Sequence, residues 1–245
     1  MVKTSLFLFL VATIYSCEVL NEATNLVSTS STASDNKPQL TNDEVIAGLR
    51  EALQVGIKNS VNLTSVENGF FNNNEIRLPF PPDAQKVKDK ALDLKLNNQV
   101  EIFEKTLNRA AEEATKEALP IFADAIKSMS VKDGFSILNG GDGAATKFLK
   151  DNTSSKLVTA FSPIVKRATS EVKLTSYWNP IITKYNNAMT LTGGQKLNPD
   201  LDAYVTQKAI DGLFVMVSKE ENKIRKDPAA RVTELLSKVF GSLLK

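Results

Sequence analysis

A helical spacing of apolar residues runs almost without interruption from residue 83 to the end of the chain, and this pattern most constrains the fold. Its most apolar part is Leu201–Val217, because the stretch from Ile210 to Val217 is apolar nearly all round. Other helices must enclose a helix of that kind. No convincing pair of strands accompanies it. The pattern predicts an all-α, single-domain bundle of about eight to ten helices around this segment, with one long extended loop.

The first helix has a clear start in the motif "TNDE". Thr41 stands as the N-cap, and Glu44 three residues later completes a capping box. Apolar residues then recur at helical spacing at Ile46, Leu49 and Leu53. We therefore predict that the folded body begins at residue 41.

A long connection follows from residue 61 to 82 and contains "ENGFFNNNEIRLPFPP". Connections beyond about 12 to 15 residues are uncommon in compact domains and are often functional. This one carries too much apolar surface to stay in water, so we expect it to pack on the helices as an extended segment. Two interpretations remain open: a binding loop that presents Phe70, Phe71 and Arg77, or a clasp that covers the core.

Composition excludes several classes of chemistry. The 245 residues include 30 Lys and Arg against 28 Asp and Glu, a net charge of +2 that gives no field to recruit nucleic acid. The chain has no histidine and one cysteine, which excludes His-assisted nucleophiles, His-ligated zinc and disulfide frameworks. Calcium loops of the EF-hand kind are also missing. We expect no cofactor, no metal site and no nucleic-acid partner.

The N-terminus, "MVKTSLFLFLVATIYSCEV", has the pattern of an export signal. Lys3 supplies a short positive region, residues 6–14 form an apolar run, and the small Ser16 precedes Cys17. The apolar run is shorter than the roughly 20 residues that a spanning helix needs. The site is similar to the processing site of bacterial lipoproteins, although Tyr15 departs from that motif. We therefore predict a signal peptide over residues 1–16 and lipidation at Cys17.

Residues 17–40 contain "STSSTASDNKPQ", which is rich in Ser, Thr and Asn and lacks periodic apolar residues. This composition is typical of a flexible tether. The predicted organisation is a signal peptide over 1–16, a lipidated cysteine with its tether over 17–40, and a helical domain over 41–245. The expected location is outside the cytoplasm, on a bacterial membrane at its periplasmic or outer-membrane face, where the lipid provides the membrane contact.

The stretch "NGGDGAAT", residues 139–146, resembles a phosphate-binding loop in its glycine content. The familiar phosphate loops follow a strand, and P-loops end in Gly-Lys-Ser/Thr; this stretch meets neither condition. Asp142 suits the N-cap of the next helix and would repel an anion. We interpret the stretch as a turn between two helices.

Lys208 is the ionic residue that helical geometry places nearest to a buried face, with Tyr204 and Asp211 beside it. A buried lysine needs a partner, since unpaired burial lowers its pKa. Asp211 or the Tyr204 hydroxyl could supply that partner in a structural ion pair, or the three could form a ligand-binding or catalytic group. We predict no catalytic residue in this sequence.

Several phrases occur together in one order, among them "GFFNNNEIRLPFP", "PIFADAIKSMSVKDGFSILNGGDGAAT", "LDAYVTQKAIDGLF" and "IRKDPAARVTELLSKVFG". They resemble the bacterial family known as domain of unknown function 4197, over nearly everything from Thr41 to Gly241. The resemblance implies an exported or lipid-anchored all-helical protein. It implies no activity, so it assigns no site residue.

Three functions stay open at this point. The favoured one is a noncatalytic envelope protein that binds a partner protein or an apolar ligand. The second is a hydrolase-type enzyme that uses carboxylate and lysine groups, for example Lys208 or a glutamate as base. The third is a purely structural lipoprotein. An apolar cavity near Phe70 and Phe80 would favour the first, and a cleft where Lys208 meets a carboxylate would favour the second.

Overall fold

The computed structural model describes residues 41–93, 95–170, 183, 186–194, 196 and 200–242. The predicted signal peptide, Cys17 and tether lie outside the described residues. Residues from Leu40 onward form one compact unit.

Eight α-helices have both ends defined within the described residues, and no strand occurs among them, which confirms the all-α fold. A further helical stretch covers residues 186–192. Short 3-10 turns at Pro82–Ala84 and Pro228–Ala230 precede two of the helices. The helices are α1 Asn42–Thr64, α2 Gln85–Asp93, α3 Asn97–Thr115, α4 Ala118–Lys127, α5 Val131–Asn139, α6 Ala144–Ser170, α7 Leu201–Lys226 and α8 Glu234–Ser242.

Helix α7 lies in the middle of the bundle, as its apolar sequence predicts. It packs against α1, α3 and α6. Val205, Ala209 and Leu213 have no exposed surface. The ring of Phe214 meets Phe122 of α4 edge to face, with centroids 5.7 Å apart. The helices of the core therefore hide their apolar faces against α7.

Two helices begin with capping boxes, and the first of them is the one that the sequence predicts. At α1, the Glu44 backbone N–H donates to Thr41 Oγ1 at 3.2 Å, and the Thr41 N–H donates to the Glu44 carboxylate at 2.8 Å. Ser130 and Asp133 repeat this arrangement at α5. Both capping boxes satisfy N–H groups that a helix start otherwise leaves without a partner.

Three local expectations were wrong. Helix α1 continues to Thr64, so the connection after it covers residues 65–81. That connection is not extended throughout, because turns occupy residues 67–72 and 74–76. Asp142 does not cap α6; its carboxylate instead accepts from Lys226.

Candidate functional site

The connection over residues 65–81, here called the clasp, packs against α3 and α7. Four of its apolar side chains, Phe70, Ile76, Leu78 and Phe80, are buried, and Phe70 is 0% exposed. Gly212 of α7 makes room for that ring, because a Cβ atom there would lie 2.5 Å from Phe70 Cε1. At the other end of the clasp, Phe80 packs on Phe103 of α3 with ring centroids 4.8 Å apart. The loop therefore packs as a segment that covers the core, as the second of the two interpretations expects.

Three polar residues of α3 bind the clasp from the side that faces the core. Glu104, Asn108 and Glu112 are spaced four residues apart, so they lie along one line of the helix. All three are buried, and we call them the polar ladder. Buried polar groups are costly unless they are hydrogen-bonded, so their partners determine what the ladder does.

Asn108 binds the backbone of the clasp on both sides of one residue. The Leu78 N–H donates to Asn108 Oδ1 at 2.8 Å, and Asn108 Nδ2 donates to the Leu78 carbonyl at 2.9 Å. Nδ2 also donates to the Glu104 carbonyl of its own helix at 2.8 Å. The amide thus has both its donor and its acceptor groups in use inside the protein.

Glu112 binds the start of the clasp. Its Oε1 accepts from the backbone N–H of Phe70 at 3.1 Å and from that of Phe71 at 3.4 Å. Arg109 places its Nη1 3.4 Å from the other oxygen of this carboxylate. Glu112 is only 1% exposed. Its carboxylate therefore satisfies two backbone N–H groups that lie outside any helix or strand.

Glu104 binds two cations at the edge of the clasp. Its oxygens lie 3.0 Å from Arg77 Nη2 and 2.7 Å from Lys88 Nζ. The Arg77 guanidinium also stacks on Phe71, with its Cζ 4.1 Å from the ring centroid, and Lys105 Nζ lies 5.6 Å from the same ring. We call Phe71, Arg77, Lys88 and Lys105 the cation–aromatic cluster. Unlike Phe70, Phe71 is only half-buried.

Tyr204 joins α7 to the clasp. Its hydroxyl donates to the Pro79 carbonyl at 3.2 Å. Burial raises the pKa of Tyr204, and the negative charge of Glu104 adds to the increase. A phenol in this position stays neutral and remains a donor to the clasp.

Lys208 is exposed on α7, so the buried lysine that the sequence indicated does not form. Asp211 accepts from Gln207 Nε2 at 3.0 Å. Of the six predicted binding residues in the body, the structure brings Phe70, Phe71, Arg77 and Tyr204 together at the clasp. Lys208 and Asp211 do not meet as an ion pair within the described residues.

The glycine-rich stretch is a turn between α5 and α6, and a carboxylate from α7 occupies its anion-binding position. Glu221 accepts from the N–H groups of Ala145 at 3.0 Å and Thr146 at 2.9 Å, and from the Thr146 hydroxyl at 2.7 Å. Arg225 donates through Nε to Glu221 at 3.0 Å and through Nη2 to the Ile137 carbonyl at 2.8 Å. This Glu221–Arg225 pair caps both helix ends at the turn.

Two cavities lie elsewhere in the described part of the molecule. One, of about 30 Å³, is lined mainly by apolar residues of α1, α6 and α7, with Glu221 and Arg225 at its edge. The other, of about 450 Å³, is an open groove along α5 and α6 whose walls include Asp133, Asp142 and Asp151. Neither is lined by Phe70 or Phe80.

Sequence reasoning missed the polar ladder and the Glu221–Arg225 pair. Glu112 stands beside Glu113, and because adjacent residues of a helix point to different sides, only Glu112 is buried. A usable signal existed in α3, where polar residues recur every four positions directly beside an apolar stripe. Such a line is buried once a second segment covers it.

Neither a metal site nor a membrane span is found in the described ranges. No three potential ligand side chains of the Cys, Asp or Glu type come together there. None of the helices in these ranges is both long and apolar enough to cross a membrane.

With this geometry in view, comparison with known proteins gives the family. Residues 39–241 match the family model described as protein of unknown function (DUF4197). The chain belongs to this family. No curated protein and no solved structure matches it. The family description assigns no activity.

Proposed function

We propose that this protein is an exported, lipid-anchored envelope protein whose helical body binds a partner protein without catalysing a reaction. The N-terminal signal pattern and Cys17 support the anchor. The observation that carries the binding role is the cation–aromatic cluster, in which Arg77 stacks on the half-buried Phe71 at the outer edge of the clasp. Aromatic residues and arginine are the side chains that contribute most at protein interfaces.

The buried carboxylates support a noncatalytic role, because each one is committed to a structural contact. Glu104 binds two cations, Glu112 two backbone N–H groups, and Glu221 the start of α6. Glu220 accepts from Asn59 Nδ2 at 2.8 Å. A general base needs a carboxylate that faces a substrate position rather than the fold. Lys208 is exposed and its neighbour Asp211 accepts from Gln207, so these residues do not form the alternative hydrolase site within the described residues.

Cavity size favours a protein over an apolar small molecule as the ligand. The apolar cavity of about 30 Å³ has room for about one water molecule. Small-molecule pockets are typically about 300–1,000 Å³ and mostly apolar. The larger groove reaches that size, but it is open to solvent, and three aspartates and a lysine are among the residues that line it. These cavity volumes therefore favour a protein partner that contacts the surface at the cation–aromatic cluster over a small molecule bound in a pocket.

Cross-linking in cells that carry the full-length protein tests the partner. Bound material is recovered with the protein and identified by mass spectrometry. We expect one envelope protein whose recovery falls about tenfold or more in the variants Phe71→Ala and Arg77→Ala. Lys238→Ala, which removes an exposed cation on α8, is the matched control and should keep the partner. Recovery of lipid instead of protein, or equal recovery from all variants, would contradict the proposal.

The anchor has its own test. The full-length protein should sediment with membranes and carry the added mass of acyl chains on Cys17, whereas Cys17→Ser should be soluble after cell lysis. A wild-type chain that lacks acyl mass and leaves the membrane with a salt wash would disprove lipid anchoring. That result would leave the partner proposal standing.

A further inference from the structure

We propose that the partner binds through an acidic segment, and that this segment lies on the exposed side of α3 beside the cation–aromatic cluster. The clasp stays in place in this arrangement, because its residues Phe71 and Arg77 are part of the surface that the segment contacts. This inference rests on the proposed function and deepens it, since it names the charge and the kind of side chain that the partner presents.

Positive and negative side chains lie at different depths on this surface. Ion pairs among the described residues join five cations, Arg77, Lys88, Lys105, Arg109 and Lys116, to four carboxylates, Glu101, Glu104, Glu112 and Glu113. Glu104 and Glu112 are buried, whereas the cations have 26–52% of their side chains exposed. Five cations and only two carboxylates of this set therefore reach the solvent, and the surface that a partner meets is positive.

The positive field extends beyond the paired atoms. The hydrogen bond from Lys116 lowers the pKa of Glu113, and the positive charges of Arg109 and of Arg167 on α6 add to the decrease. Three cations from two helices thus stabilise the charged form of one carboxylate at this surface. A carboxylate that a partner brings to the same place would meet the same field.

Two apolar side chains lie among the cations. Phe71 is half-buried, with the Arg77 Cζ 4.1 Å and the Lys105 Nζ 5.6 Å from its ring centroid. Ile102 is exposed and stands three residues before Lys105, so both lie on one side of α3. An apolar centre with a charged rim is the usual arrangement of a protein interface. The surface therefore fits a protein segment in which carboxylates flank an aromatic or aliphatic side chain.

Arg77 and Lys105 are both able to accept a carboxylate from outside. A guanidinium has five N–H donors and binds carboxylates in pairs of hydrogen bonds, and Arg77 uses Nη2 for Glu104. Its stacking on Phe71 fixes its orientation, so it loses little conformational freedom when a partner binds. The pair between Lys105 and Glu101 is exposed, and a pair of this kind contributes little to stability and exchanges readily.

Fluorescence anisotropy with the full-length protein in nonionic detergent tests the charge of the partner segment. The probe is a labelled peptide of alternating glutamate and tyrosine residues. We expect Lys105→Glu to lower its affinity about tenfold or more at an ionic strength of about 0.1 M. The difference should shrink at about 1 M, where the Debye length is only about 3 Å. Lys105→Gln, which removes the charge without reversing it, should lower the affinity less.

Lys238→Glu on α8 is the matched control. Lys238 is exposed to a similar degree and pairs with Glu234 four residues earlier, as Lys105 pairs with Glu101. This variant carries the same change in net charge and should bind the peptide as tightly as the wild type does. A peptide of alternating glutamate and serine should bind the wild type more weakly, because it offers no ring to Phe71 and Ile102.

The inference is overturned if the glutamate–tyrosine peptide does not bind the wild type, or if Lys238→Glu weakens binding as much as Lys105→Glu does. It is also overturned if the serine peptide, or a single-stranded oligothymidylate of the same length, binds as tightly as the tyrosine peptide. In each of these cases, an envelope protein whose recovery from cells still depends on Phe71 and Arg77 would leave the proposed function intact. Loss of that dependence would refute both.

Discussion

The turn between α5 and α6 and the clasp are both fastened by buried carboxylates, but the two regions are fastened in different ways. At the turn, one ion pair, Glu221–Arg225, binds N–H groups of one helix start and a carbonyl of one helix end. At the clasp, Glu112 and Asn108 bind backbone groups at separate places, one in the turns near Phe70 and one at Leu78. A helix end presents its unsatisfied groups together, whereas a connection outside the helices presents them at separate places.

This difference predicts how the loss of one side chain affects the stability of each region. Loss of one side chain at the turn leaves several buried groups without partners at once. Loss of one side chain of the polar ladder frees only the part of the clasp that it binds and leaves the other contacts in place. The turn should therefore affect the stability of the whole domain, and the clasp should open locally.

The largest effect is expected for Glu221→Ala. Removal of this carboxylate leaves Arg225 and the N–H groups of Ala145 and Thr146 without their buried partner. Breaking a buried pair in this way costs about 3–5 kcal/mol, measured as the free energy of unfolding in urea. Asp151→Ala removes an exposed carboxylate that pairs with Lys147 and should change stability by at most about 0.5 kcal/mol. Equal effects of the two variants would show that the pair at the turn is not buried.

Asn108→Ala should have the next largest effect. Both backbone groups of Leu78 lose their partners, at about 1–3 kcal/mol for each buried group left unsatisfied. Hydrogen exchange should show the loss mainly in the clasp. Asn152→Ala is the control, because Asn152 also donates to a backbone carbonyl but is exposed. A loss of protection spread evenly over α1 and α7 would contradict local opening.

Two glycines that differ in the space around them give a smaller, paired effect of opposite sign. Gly212→Ala places a Cβ 2.5 Å from Phe70 and should cost about 1–3 kcal/mol of stability through overpacking. Gly56→Ala in α1 meets its nearest atom at 3.6 Å, and a helix gains roughly 0.5–1 kcal/mol from alanine in place of glycine. Melting temperatures should fall for the first variant and rise for the second. A rise for both would mean that Phe70 does not pack on α7.

The smallest effect concerns the capping box of α1. The backbone N–H and hydroxyl of Thr41 hold the pKa of Glu44 below its usual range. A lowered folded-state pKa contributes stability that is complete above the unfolded pKa of about 4.3 and is lost as the pH falls through the folded pKa. Thr41→Ala removes the hydroxyl but keeps the backbone N–H, so it should return the pKa of Glu44 part of the way toward that value in an NMR titration. An unchanged pKa would show that the Thr41 hydroxyl does not bind Glu44.

Local patterns predicted most of the fold. The capping signal of α1 and the apolar sequence of the enclosed α7 depend on residues close together in sequence, and the structure confirms both. Contacts between distant residues could not be predicted in this way. Glu221 caps α6 from 76 positions away, which is why Asp142 was a wrong candidate for that cap.

The site was predicted only in part for the same reason. Helical spacing placed Lys208 at the margin of a buried face, but its side chain turns to solvent. The loop with Phe70, Phe71 and Arg77 was found because it is too apolar to stay in water. Its partners on α3 lie 27 to 42 positions away and carry no local signal that pairs them with the loop.

Native-state hydrogen exchange at the Leu78 amide tests the central claim most directly. Our account has this amide hydrogen-bonded to Asn108 beneath a packed clasp, so it should be strongly protected although it lies outside any helix or strand. Protection at Leu78 that disappears in Asn108→Ala, while the amides of Ala209 and Leu213 keep theirs, is the result we predict. Exchange of the wild-type Leu78 amide at the rate of an unprotected loop would contradict the account.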